Sequence, residues 1–187
     1  MFAGPEEDLR LTANAQPAIM AVSIAVQRIL EKQLDMKVAD AKFVAGHSLG
    51  EYTALCAAGA LSLADTARLL RVRGDAMQAA VPVGVGAMAA LLGADFEQAK
   101  QIAAEKGLKR AVLLPVSAPF HCALMQPAAD VMLPALAKAA MNAPVVPLIA
   151  NVTAEAVSDP MAIRALLVQQ VCGTVRWRES MLYAKQN

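Results

Sequence analysis

Apolar and polar positions follow two registers along the chain. After Gln16-Pro17, the residues Ile19, Val22, Val26, Ile29 and Leu30 recur at three- and four-residue spacing. That spacing predicts a helix reaching about Leu34, with the proline suited to its first turn. Residues 42–45 form a short apolar run of strand type, and 49–58 a second helix ending near Gly59. Ser62-Leu-Ala-Asp65 reads as an N-terminal cap for a helix extending to about Ala80. Further on, 87–92 predicts a strand, 96–105 a helix stopped by Gly107, and 111–116 a strand. A helix over 127–140, with Pro134 as a kink, precedes a strand over 147–152 and two last helices, near 161–171 and 177–184. Strands alternating with helices predict an α/β fold with a parallel sheet.

Composition narrows the function classes. Of 187 residues, 57% are hydrophobic, ample for one core, with much of it alanine suited to close helix packing. The net charge of +1 gives no footprint for nucleic acid or an acidic partner. Cys56, Cys122 and Cys172 have no metal-ligand spacing and cannot all pair, which fits a reducing, cytoplasmic setting. The acidic start (Glu6, Glu7, Asp8) is unlike a secretion signal. Residues 76–94 carry no charge, but Pro82, Gly84, Gly86 and Gly93 argue for a loop and a strand rather than a membrane span.

Chemistry concentrates at Gly46-His47-Ser48-Leu49-Gly50, between the predicted strand and helix. A serine on a tight strand-to-helix turn is pushed out of the backbone, and Gly46 and Gly50 are expected to remove Cβ atoms that would collide there. Ser48 then meets a helix N-terminus, whose free N–H groups can stabilise an oxyanion. The chain has two histidines. His47 neighbours Ser48 on a turn where adjacent side chains diverge. His121 follows a predicted strand, and sites in parallel α/β sheets gather at strand carboxyl ends. His121 is thus the candidate base, with a loop histidine in a structural hydrogen bond as the other reading.

Arg73 is the third candidate. Arg68 and Arg71 have acidic partners at helical spacing, Asp65 and Asp75. Arg73 has Leu69, Leu70, Ala76 and Met77 instead. An arginine projecting from an apolar face needs an anion, and a carboxylate matches its planar fork. A snorkelling arginine, or one paired with a distant acid, is the alternative.

Four segments in order, Gly46-His-Ser-Leu-Gly-Glu-Tyr52, Arg73-Gly-Asp-Ala-Met77, Val116-Ser-Ala-Pro-Phe-His121 and Asn151-Val152, resemble malonyl-CoA:acyl-carrier-protein transacylases. Thr12-Ala-Asn-Ala-Gln-Pro-Ala18 is similar too, and the resemblance runs from Leu9 to Asn187. It implies an α/β-hydrolase-like core over 1–83 and 117–187, with a reduced ferredoxin-like subdomain over 84–116. It implies ping-pong transfer of malonyl from its CoA thioester to the phosphopantetheine thiol of acyl carrier protein, with no further cofactor or metal, by a monomer. Ser48 would be the nucleophile, His121 the base and Arg73 the holder of the malonyl carboxylate. The Leu49 N–H would be an oxyanion donor, Gln170 would supply the backbone carbonyl that orients the histidine, and Gln16, His47 and Asn151 would lie at the substrate.

The chain also departs from the family pattern. The opening strand with its Gly-Gln-Gly-Ser-Gln-type loop, a second source of oxyanion contact, has no counterpart, nor does the closing Glu-x-Gly-Pro-Gly-like segment. A few tens of residues are missing near Glu105-Lys-Gly107. Loss of one oxyanion donor costs ~10²–10³ in rate, so weak or absent transfer is expected. Two other readings stay open: a hydrolase-type esterase or thioesterase, for which Asp75 and Asp95 are poorly placed third members, and a catalytically inactive carrier-protein binder.

Overall fold

Ser62 accepts a hydrogen bond from the Asp65 N–H at 3.0 Å and so opens the helix that organises the molecule. The computed structural model describes residues 3–81, 88–91, 111–113 and 119–187. A short helix α1 (Glu6–Arg10) leads into α2 (Thr12–Leu34), followed by α3 (Leu49–Ala57) and the capped helix α4 (Leu63–Ala80). Then come strands β1 (Ala89–Leu91) and β2 (Ala111–Leu113), helix α5 (Gln126–Lys138), strands β3 (Leu148–Ile149) and β4 (Ala156–Val157), and helices α6 (Pro160–Cys172) and α7 (Trp177–Gln186).

Helix α4 buries Thr66, Leu69, Leu70, Arg73, Gly74 and Met77, a stripe at three- and four-residue spacing. It lies between α2 and α5, and α5 packs on α6. Met20, Tyr52, Leu55, Leu70, Met132 and Leu148 are fully buried where these elements meet. At Gly74 the backbones of α2 and α4 touch: a Cβ there would lie 2.7 Å from Ala13 Cα and from Thr12 O. That approach explains why α2 starts at Thr12 rather than at the expected Gln16-Pro17. Pro17 sits inside the helix, and tertiary packing of Thr12, Ala13 and Gln16 holds the turn before it. The stripe that α2 buries (Gln16, Met20, Ile24) is also not the one its sequence advertises. Ile19, Val22, Val26 and Ile29 lie exposed, so the helix has two apolar faces and packs one.

Among the described residues, parallel pairing comes down to one bridge, Val44 with Leu148, in which Val44 N–H donates to Pro147 O and Val44 O accepts from Ile149 N–H, both at 2.9 Å. The two strand pairs, β1 with β2 and β3 with β4, are antiparallel. β3 and β4 close as a local hairpin, through Ala150 N–H to Glu155 O at 3.0 Å, so one neighbour of β3 comes from close in sequence rather than from a crossover. The helices expected over 49–58, 62–80, 127–140, 161–171 and 177–184 form within a few residues of those bounds. The helix expected over 96–105 and the subdomain limits at 83/84 and 116/117 lie outside the described residues.

Candidate active site

The turn before α3 carries the candidate nucleophile. Ser48 has φ 53° and ψ −111°, a region most side chains avoid, as a serine pushed out of a tight turn requires. A Cβ on Gly46 would come within 2.0 Å of Gly50 O, so glycine is obligatory there. The expectation for Gly50 fails. A Cβ at Gly50 meets nothing within 4 Å, because this residue is already in the first turn of α3 and faces open space.

Asn151 clamps the turn. Its Oδ1 accepts the Ser48 N–H at 2.8 Å and its Nδ2 donates to Gly46 O at 2.8 Å, across 103 and 105 residues of sequence. Fully buried, with both ends of its amide engaged, it shapes the backbone of the Ser48 turn. Leu49 opens α3 directly after Ser48, so its N–H is among the first-turn donors a helix leaves unused.

Ser48 and His121 meet as the sequence predicts: Oγ and Nε2 are 2.8 Å apart. His121 Nδ1 lies 2.9 Å from the Gln170 carbonyl oxygen. A carbonyl only accepts, so Nδ1 carries the proton and Nε2 is free to take that of Ser48. Burial pushes the His121 pKa down and the charges of Arg73 and His47 add to this, while the hydrogen bonds to the Gln170 and Gly173 backbone oppose it. The imidazole is therefore neutral, and a base, at pH 7. His47 is exposed, packs edge-on against Trp177 with ring centroids 5.8 Å apart, and is not hydrogen-bonded to Ser48.

Arg73 is 1% exposed. Its Nη1 donates to Gln16 Oε1 at 2.7 Å, and its Nη2 donates to Gln170 Oε1 at 2.9 Å and to Ser48 Oγ at 3.0 Å. Its Cζ lies 5.6 Å from the Tyr52 ring centroid, a cation–π contact. None of the ion pairs among the described residues involves it. Neutral acceptors thus hold a buried cation beside the nucleophile, and its charge remains available to an anion. Gln16 is itself buried and braced by Thr12 Oγ1 at 2.8 Å.

Two features escaped the sequence reading. The Gln170 side chain works as well as its carbonyl: Nε2 donates to Ser48 O at 2.9 Å and to Glu51, and Oε1 accepts from Arg73. Glu51 is 1% exposed, and burial pushes its carboxyl up to about 7 against the hydrogen bonds of Gln170 and Asn151 and the charge of Arg73. The neighbour test that singled out Arg73 would have found it, since Ala54 and Leu55 stand three and four residues on, both buried. Among the described residues, no group of His, Cys, Asp and Glu is placed to hold a metal ion.

A serine hydrogen-bonded to a histidine, at a helix N-terminus and beside a buried cation, is an arrangement suited to nucleophilic acyl transfer, and the model of the acyl transferase domain matches residues 1–115. The malonyl CoA-acyl carrier protein transacylase of Escherichia coli K12 is 39% identical over 216 positions, covering 96% of this chain and 69% of its own length. That alignment is longer than the chain, so the relative carries internal residues with no counterpart here. The acyl-carrier-protein S-malonyltransferase of Bartonella henselae superposes with a TM-score of 0.90 at 53% identity, covering 99% of this chain and 70% of that one. A malonyl-transacylase solved in complex with a type II PKS acyl-carrier protein superposes at 0.87 with 34% identity, covering 98% of this chain and 70% of that one. The chain belongs to the malonyl CoA-acyl carrier protein transacylase family.

Proposed function

We propose that the chain transfers a malonyl group from malonyl-CoA to the phosphopantetheine thiol of acyl carrier protein through an ester on Ser48. The observation that carries this reading is Arg73, fully buried, free of any ion pair among the described residues, and 3.0 Å from Ser48 Oγ. A carboxylate taken by that guanidinium places the far end of a malonyl thioester at the serine, whereas an acetyl thioester has nothing to offer it.

Ser48 Oγ attacks the thioester carbonyl as His121 Nε2 takes its proton. The oxyanion forms at the start of α3, within reach of the Leu49 N–H. The C–S bond breaks, and the proton held by His121 leaves on the CoA thiol. In the second half the carrier thiol gives its proton to His121, its sulfur attacks the ester carbonyl, the bond from that carbon to Ser48 Oγ breaks, and the proton passes from His121 to Oγ. The Gln170 carbonyl keeps the imidazole in one tautomer throughout. The bridge–turn–helix path through Val44, Ser48 and α3 supports an α/β-hydrolase-like core, and the antiparallel pair β1–β2 is in keeping with a reduced small subdomain.

Intact-mass analysis after incubation with malonyl-CoA tests the reading. A single malonyl adduct is expected, absent from Ser48→Ala, removed by holo acyl carrier protein, and formed far more slowly by Arg73→Ala. A native chain that stays unlabelled, or that labels equally with acetyl-CoA, refutes it.

A further inference from the structure

Beneath Ser48 lies a buried acid to which the proposed reaction gives no task. Glu51 Oε1 accepts the Asn151 N–H at 3.2 Å, and its Oε2 accepts Gln170 Nε2. An ionised carboxylate can only accept. Gln170 turns its NH₂ toward Glu51 and toward Ser48 O, which accepts from Nε2 at 2.9 Å, and this leaves its Oε1 facing Arg73, whose Nη2 donates to it at 2.9 Å. Turned over, the same amide would set oxygen against carboxylate and NH₂ against guanidinium, a mismatch at both ends. A residue of opposite charge to Arg73 thus sets, together with Ser48 O, which face of the amide Arg73 meets, although no ion pair among the described residues joins the two.

We propose that Glu51 is a positioning residue for malonyl selection, fixing through the Gln170 amide the orientation in which Arg73 presents its fork to the acyl site. The inference rests on the transacylase reading of that site. It assigns the acid of the Gly46–Tyr52 segment to substrate choice rather than to capping the first turn of α3. The carboxyl is buried beside a cation it does not touch, which explains why this position holds an acid at the cost of burying one.

The test uses the full chain at pH 8, where the carboxyl is ionised. Glu51→Gln keeps the shape but offers one oxygen to two donors, so an N–H is left facing an N–H. Its KM for malonyl-CoA in Ser48 acylation should rise about 10–100-fold. Its kcat should change less, and acylation by acetyl-CoA, which has no carboxylate for Arg73, should change little. The double variant Glu51→Gln/Gln170→Glu restores donor-to-acceptor pairing between the two positions. Its thermal midpoint should recover only in part, since the Gln170→Glu carboxylate has no donor for Ser48 O, and malonyl preference should not return, because that carboxylate neutralises Arg73. A purely structural Glu51 would instead lower malonyl and acetyl acylation in equal proportion, and the double variant would recover both. NMR of the Arg73 guanidinium supplies a readout independent of turnover: slow rotation in the native chain and faster rotation in Glu51→Gln are expected. A native chain that forms no seryl ester therefore defeats the transacylase reading while the Arg73 signal still decides the role of Glu51. Native malonyl KM and selectivity in Glu51→Gln, equal losses for the two thioesters, or an unchanged Arg73 signal would each overturn the proposal.

Discussion

Replacing Gly46 by alanine should do far more damage than the same change at Gly50, four residues away. A methyl on Gly46 would lie 2.0 Å from Gly50 O and 2.7 Å from Glu51 N, both backbone atoms with no rotamer to yield. The turn must open by more than an ångström, and overpacking of this kind costs about 1–3 kcal/mol. Opening it also separates Gly46 O and Ser48 N–H from Asn151, whose amide holds each at 2.8 Å. At about 0.5–1.5 kcal/mol per hydrogen bond, the loss comes to about 2–6 kcal/mol in all. In a chain of this size that is a drop of about 4–24 °C in the thermal midpoint. Acylation of Ser48 should fall with it, since Oγ leaves its 2.8 Å contact with His121. Gly50→Ala meets nothing within 4 Å and sits in a helix, where alanine is favoured by about 0.5–1 kcal/mol, so its midpoint should hold or rise slightly. Circular-dichroism melts paired with mass analysis of acylation read both variants. A Gly46→Ala chain that melts and acylates like the native one would refute the reasoning.

Three further outcomes follow from the same geometry. Gly74→Ala should destabilise by about 1–3 kcal/mol despite alanine's helix preference, because its Cβ would stand 2.7 Å from Ala13 Cα; a chemical-denaturation midpoint at or above the native value would contradict this. Ser62→Ala removes the cap that accepts the Asp65 N–H and should cost ~1 kcal/mol with acylation unchanged, as a urea melt and the acylation assay will show. The His121 ring should titrate below 6.5 by NMR, and a midpoint at or above that value counts against the buried dyad. The unfolded chain binds this proton near 6.5 and the native chain only at lower pH, so this group's stabilisation is complete above 6.5 and is lost as the pH falls toward the native value.

That Ser48, His121 and Arg73 would form one candidate site was legible because each rests on local logic. Ser48 stands on a glycine-flanked turn, His121 follows a strand, and Arg73 lacks a partner at helical spacing. Helix α4 was legible from its Ser62 cap, and α3 from Gly59, whose φ of 73° ends it. What stayed hidden depends on distant groups. Nothing near Thr12 announces that α4 offers Gly74 to receive it, so the helix start was placed four residues late. Asn151 gives no local sign that it reaches back to Ser48. Glu51 sits third in its helix, where an acid ordinarily caps; Ala54 and Leu55 mark its face as apolar, but its partner Gln170 lies 119 residues away. Among the described residues the expected parallel sheet comes down to the Val44–Leu148 bridge, because short apolar runs specify strand-like backbone but not which neighbour completes the ladder.

In the resting site the Ser48 hydroxyl is occupied on both sides. Its proton points to His121 Nε2, and one oxygen lone pair receives the Arg73 N–H at 3.0 Å. A guanidinium in that position withdraws electron density from the atom that must attack. A thioester with a carboxylate gives the cation a second claimant and loosens its hold on the oxygen, whereas one without a carboxylate leaves the hold intact. On the proposed transacylase reading, this arginine would be a latch as well as an anchor: the substrate that fits would also be the one that frees the serine, and stray acyl thioesters would meet a serine still under guard.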